Sequence, residues 1–307
     1  MTSLSTPATS AAPAAPSLGA PTLPRGVVLS LALVYSIWSS TYLALRYMVV
    51  DLPPLSSSGA RFLLAGVVMY AFLRARGAAA PSARQWALSA ATGCAMFFMG
   101  NGFVAIAARE VPSGVTAMSI ASVPLFLTAF EAGLGQRPSL RQCGGLALGF
   151  AGVVCMCASS VATAGSAIWL LVLAPVGWAV ASLLTRRCNL PTGAMAGAAQ
   201  LMGGGASLLI GGFALGERMT TVPAQSALLA FGYLVVFGSI IGYSAALYLL
   251  RNASAGLATS YAYVNPVLAI ALGATLGGER LGPSALLSGL LVVSGVLLLV
   301  TERRPNA

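Results

Sequence analysis

The side chains best placed to do chemistry in this chain are aromatic. Trp38 and Trp178 stand 140 positions apart, and polar groups gather around each. The first lies in Ser36-Ile37-Trp38-Ser39-Ser40-Thr41-Tyr42 and the second has Ser182 four residues on. Further along come Phe97, Phe98, Met99 and Asn101, then Ser119 and Ser122, then Ser239, Tyr243, Ser244 and Tyr248, and last Ser260, Tyr261, Tyr263 and Asn265. Hydroxyls, amides and rings bind small molecules, and they do not cleave them unaided. Aromatic walls with a few hydrogen-bonding groups describe a cavity for a neutral, zwitterionic or aromatic solute. The candidate substrate-binding residues are Trp38, Thr41, Phe98, Asn101, Ser119, Trp178, Tyr243, Tyr261 and Asn265.

Other chemistries are excluded by what the chain lacks. It has no histidine, and all 16 basic residues are arginine. That removes histidine acid–base work, lysine Schiff bases and the commonest metal ligand. Cys155 and Cys157 have no second cysteine pair to complete a zinc site, so the five cysteines read as small apolar filler. There is no Gly-x-x-x-x-Gly-Lys-Ser/Thr loop to hold ATP phosphates. No paired acids suit hydrolysis, so an enzyme is not expected, and neither is a cofactor or a metal. A doubly charged phosphate ester would be poorly served without lysine.

Two charges need a separate reading. Glu131 is the one acid inside an apolar run, near its end. It suits proton coupling, because intramembrane acids serve function by default. The competing reading is a surface pair with Arg137 or Arg141. Arg61 opens the second apolar run and either attracts a carboxylate or snorkels to the surface.

The elements that must position these groups follow from composition. The chain is 58% hydrophobic and 7% charged, with a mean hydropathy of +0.88. A soluble domain carries about 25% charged residues, so this chain cannot clothe a water-facing surface. Its net charge of +10 forms no basic stripe, which argues against nucleic acid. Ten apolar segments approach the ~20 residues that cross a bilayer. They cover 26–48, 58–75, 85–107, 113–133 and 140–159, then 166–186, 193–215, 225–249, 255–276 and 282–301. Residues 1–24 hold no charged side chain and read as a disordered tail.

The chain also matches itself. Gly100, Asn101, Arg109, Gly114 and Pro124 recur 142 residues later as Gly242, Tyr243, Arg251, Gly256 and Pro266, and Arg46 recurs as Arg186. The expected fold is therefore an all-α integral membrane protein of ten transmembrane helices. It is built as two five-helix repeats, 25–160 and 161–302. With the N-terminus inside, eleven arginines fall on the inner side and five on the outer, so both termini are expected in the cytoplasm. An odd number of spans per repeat turns the second copy upside down, giving inverted topology. Interrupted helices at matching positions point to the substrate site in such proteins. Pro124 and Pro266 fit as paired hinges, since a mid-helix proline frees a carbonyl and kinks the axis.

On these residues the chain resembles the drug/metabolite transporter superfamily, specifically the ten-helix EamA-type exporters, over roughly residues 27–301. The resemblance rests on the Ser36–Tyr42 run, Ala60-Arg61-Phe62, the twin prolines and Leu276-Gly277-Gly278-Glu279-Arg280, set in an inverted five-plus-five repeat. The Gly-Glu-Arg of the family is intact at Gly278–Arg280, but its partner reads Gly135-Gln136-Arg137. That change is expected to remove a surface pairing only. The resemblance implies efflux of small metabolites across the inner membrane by a multi-pass protein. Within the family the chain is most similar to the amino-acid exporters, including those for aromatic amino acids. There the cavity is lined from helices one, three, four, six, eight and nine, and Trp38 and Trp178 match its aromatic positions. The expected partners are a small-molecule substrate and membrane lipid, with the chain a monomer. A flippase for lipid-linked sugars or phospholipids, or an exporter of drugs or other metabolites, is the alternative on the same scaffold.

Overall fold

The computed structural model describes residues 23–219, 222–253 and 255–300. Apart from Leu23 and Pro24, the expected tail lies outside the described residues. Among those residues all regular structure is helical. Eight helices are long and apolar enough to cross a membrane. They are α1 (Arg25–Asp51), α2 (Pro54–Ala75), α3 (Ala83–Ala107), α4 (Ser113–Gly133), α5 (Leu140–Ala164), α6 (Ala167–Arg187), α7 (Ala194–Ala214) and α8 (Gln225–Asn252). Two shorter apolar helices follow, α9 (Tyr261–Thr275) and α10 (Pro283–Val300).

Local chemistry sets several helix ends. Ser82 and Gln85 form a reciprocal capping box at the start of α3, and Ser139 and Gln142 repeat it at α5. Gly135, at φ +94°, turns the chain away after α4 as only glycine does cheaply. Elsewhere the caps come from distant residues. Hydropathy places the second span at 58, but α2 begins at Pro54 because Glu217 accepts bonds from the Leu55 and Ser56 amides at 3.0 and 2.7 Å. Glu279 does the same for α4, accepting from the Ser113 amide at 3.0 Å and its hydroxyl at 2.9 Å, and it also holds Arg46 of α1. Glu279 is buried, because its partners arrive from α1 and α4. Glu279→Gln is expected to cost about 2 kcal/mol, read as a lower melting temperature in detergent. An unchanged melting temperature would mean that Arg46 and Ser113 re-pair without it.

Helix packing rests on two glycine seams. Where α2 crosses α7, a Cβ on Gly59 would lie 2.7 Å from the Leu209 amide nitrogen, and one on Gly205 would lie 2.5 Å from that of Leu63. Gly66 meets Met202 and Ala198 further along, so the two helices run antiparallel. The second seam joins α5 and α10: Gly145 meets Gly295, and Gly152 meets Val292 and Ser288, again antiparallel. Each seam pairs the matching helices of the two repeats, the second with the second and the fifth with the fifth. Antiparallel contact between mates is the geometry of inverted repeats. Small residues let membrane helices touch backbone to backbone, where dispersion replaces the absent hydrophobic drive.

Candidate functional site

Both α3 and α8, the third helices of the two halves, open into π-helical stretches at Cys94–Gly102 and Leu234–Ile241. Each is braced by a side chain that donates to the carbonyl five residues back: Asn101 Nδ2 to Met96 at 3.4 Å, and Ser239 Oγ to Leu234 at 3.0 Å. Such insertions are rare and frequent at functional sites.

At the end of each stretch sits a glycine, and on each glycine lies a tryptophan from the opposite half. A Cβ on Gly100 would lie 2.5 Å from Trp178 Cδ1, and one on Gly242 would lie 2.7 Å from Trp38 Nε1. Trp38 meets Tyr261 edge to face, with centroids 4.9 Å apart. Trp178 meets Phe97 at 6.3 Å, and Phe97 meets Phe62 of α2 at 4.5 Å. Tyr243 joins the two groups. It follows Gly242, on which Trp38 lies, sits against Gly197 of α7, and packs on the cluster of Phe62 and Phe97. Trp38, Tyr42, Trp178, Tyr243 and Tyr261 all stay half-buried, so aromatic rings on α1, α6, α8 and α9 keep accessible surface, with Phe97 of α3 buried beside Trp178.

The other expected residues divide. Thr41 shares the Trp38 neighbourhood, but its hydroxyl donates to the Trp38 carbonyl at 2.6 Å. Asn101 serves the π stretch. Ser119 donates to the Leu171 carbonyl across the α4–α6 contact. Asn265 is buried with its Oδ1 unpartnered. Phe98 turns away towards Gly211 and Phe103, and Phe97 takes the place beside Trp178. The wider π turn changes which ring faces inward. The prolines are not equivalent. Pro124 follows a break in α4 at Ser122, whereas Pro266 lies inside continuous α9, which a turn at Thr259–Ser260 separates from a short helical segment at Ala255–Ala258. Glu131 is buried and accepts from Arg186 at 2.9 Å, a partner from α6 that a local reading does not reach. Arg46 and Arg186, repeat mates, therefore both hold acids at opposite ends of the bundle. Phe97 and Tyr42, gathered with the aromatic and polar groups in the sequence, stand outside the candidate binding list, and the π stretches are absent from the sequence reading altogether. The matched glycines at 100 and 242 were the available signal.

Comparison with known proteins agrees with this architecture. Residues 25–158 and 165–301 each match the EamA-like transporter family. The uncharacterized inner membrane transporter YedA of Escherichia coli (strain K12) is 40% identical over 273 residues, covering 88% of this chain and 89% of YedA. The S-adenosylmethionine/S-adenosylhomocysteine transporter of Chlamydia trachomatis (serovar L2) is 28% identical over 288 residues, 87% of this chain and 86% of that one. A solved crystal structure superposes with a TM-score of 0.62 at 20% identity, covering 89% of this chain and 96% of that chain, a likeness of fold alone.

Proposed function

The chain belongs to the EamA-like transporter family, and from that premise we propose that it exports amino acids, aromatic ones included, and related small metabolites by alternating access. It is a multi-pass inner-membrane transporter. In this reading ten spans form two inverted five-helix repeats, 25–160 and 161–302. Both termini face the cytoplasm, and the chain acts as a monomer.

The observation that carries the reading is the pair of tryptophans, each seated on a glycine of the opposite repeat, Gly100 within one π stretch and Gly242 directly after the other. A solute held between Trp38 and Trp178 touches both repeats at once. Rocking one repeat against the other then changes which end of the bundle reaches the solute. Tyr42, Tyr243 and Tyr261 supply hydroxyls, and Asn265 supplies an unspent acceptor. Pro124, at the broken α4, and Pro266 are the proposed hinges. A second reading comes from the Chlamydia relative's name: S-adenosylmethionine joins an aromatic base to an amino-acid end, which suits the same aromatic wall.

The test is counterflow in liposomes holding the purified protein. Labelled tryptophan, threonine, a nucleoside and S-adenosylmethionine are offered, with and without a pH gradient. Saturable uptake of the amino acids is expected. Transport of none of them would favour the flippase alternative. Glu131 is the proposed proton-coupling group if the gradient drives uptake. In the absence of a gradient, Glu131→Gln is expected to change counterflow by no more than about fivefold, since the Arg186 side chain is 60% exposed and such pairs are weak. Any gradient-driven component should vanish in that variant. If it survives, Glu131 is not the coupling group.

A further inference from the structure

Among the described residues Arg61 is a cation with no carboxylate within ion-pair distance. It is buried in α2, and its Nε has no hydrogen-bond partner. Its guanidinium lies over the Phe62 ring, 4.0 Å from the centroid, which compensates only part of the desolvation. Among the described residues no carboxylate reaches it. Asp51 is engaged with the Ala224 amide, Glu131 with Arg186, Glu217 with the start of α2, and Glu279 with Arg46 and Ser113.

A second unspent donor stands one turn away. Ser56 and Ser57 commit their hydroxyls to Glu217 and to the Pro53 carbonyl. Ser58 is 1% exposed, and its Oγ has no partner. Positions 58 and 61 lie on one face of a helix. The neighbouring faces of α2 are taken: Gly59, Leu63 and Gly66 lie on α7, and Phe62 lies on Phe97. Also packed on α2 are the π stretch of α8 and, more lightly, α1. Through Phe62 and Phe97 the Arg61 guanidinium connects to Trp178.

We infer that Arg61 and Ser58 form a subsite for the substrate's carboxylate, deepening the amino-acid reading on which it rests. A buried unpaired charge is tolerated when a ligand supplies its partner. The planar guanidinium matches a carboxylate edge on, and the hydroxyl adds a further donor. One cation neutralises one negative charge, so a monoanionic carboxylate fits and a phosphate dianion does not.

The experiment is tryptophan counterflow with the wild type, Arg61→Gln, Arg61→Lys and Ser58→Ala. Unlabelled indole-3-propionate and tryptamine serve as competitors. With the wild type, indole-3-propionate should compete and tryptamine should not. Arg61→Gln should raise the tryptophan KM by about 10–100-fold and lose that discrimination, with partial rescue in Arg61→Lys. Ser58→Ala removes an unspent hydroxyl and leaves folding intact. It should raise KM by about fivefold. Equal competition by the two indoles in the wild type, or unchanged KM in both Arg61→Gln and Ser58→Ala, overturns the subsite while leaving amino-acid transport standing. If the wild type moves no tryptophan, the amino-acid reading falls separately. Thermal stabilisation of the detergent-solubilised protein by indole-3-propionate, present in the wild type and lost in Arg61→Gln, then decides the subsite, and its absence in the wild type overturns it.

Discussion

Leucine at Gly205 is expected to leave little folded protein. Even a methyl group there would sit 2.5 Å from the Leu63 amide nitrogen and 2.9 Å from the Gly59 carbonyl oxygen. Both obstacles are backbone, so no rotamer change relieves them, and α2 must move off α7 along the whole seam. Overpacking a tight core costs typically 1–3 kcal/mol. Here the cost is expected at about 3 kcal/mol for Gly205→Leu, with Gly205→Ala intermediate. The readout is the monodisperse fraction after heating in detergent. Gly133→Ala is the opposite control. A Cβ at Gly133 meets nothing within 4 Å, and alanine is the better helix former by about 1 kcal/mol. Wild-type stability for Gly205→Leu would show that the α2–α7 seam has slack.

The second large effect concerns transport. Trp38→Ala and Trp178→Ala are each expected to weaken substrate binding by about 2 kcal/mol, or roughly 30-fold in KM. Both indoles are half-buried rather than sealed, so the folded fraction should change much less than transport does. Trp169→Ala is the control, because Trp169 is 56% exposed on the surface of α6. Wild-type kinetics in both Trp38→Ala and Trp178→Ala would remove the aromatic wall from the site.

What could be read in advance was whatever repeats. Identities such as Trp38 with Trp178 and Gly100 with Gly242 survive as residue types at a near-constant offset, and apolar runs of span length mark the helices. How those identities pair is a tertiary fact. Each tryptophan seats on the other half's glycine, which no offset reveals. The π stretches carry no compositional mark, and which of the adjacent rings Phe97 and Phe98 stands beside Trp178 is likewise unmarked in the sequence. Long-range ion pairs were equally hidden. Glu131 finds Arg186 55 residues away, and Glu279 finds Arg46 233 away. Reading Arg137 or Arg141 as the partner of Glu131 weighs only sequence neighbours and does not reach Arg186. The matching prolines predicted equal hinges. The backbone instead breaks within α4 at Ser122 but runs unbroken through α9, because a proline ring needs only one missing bond and the neighbouring packing decides whether the helix parts there.

The seams also set a timetable for synthesis. The face of α2 around Gly59 has no lasting partner until Gly205 has been made, close to 150 residues later, and α5 waits as long for α10. At 5–20 residues per second that delay is roughly 7–30 s. During it the first five helices lie in the bilayer with bare small-residue stripes, open to any other nascent helix that carries glycines at the same pitch. Slower elongation through the second half should therefore reduce yield more than slower elongation through the first.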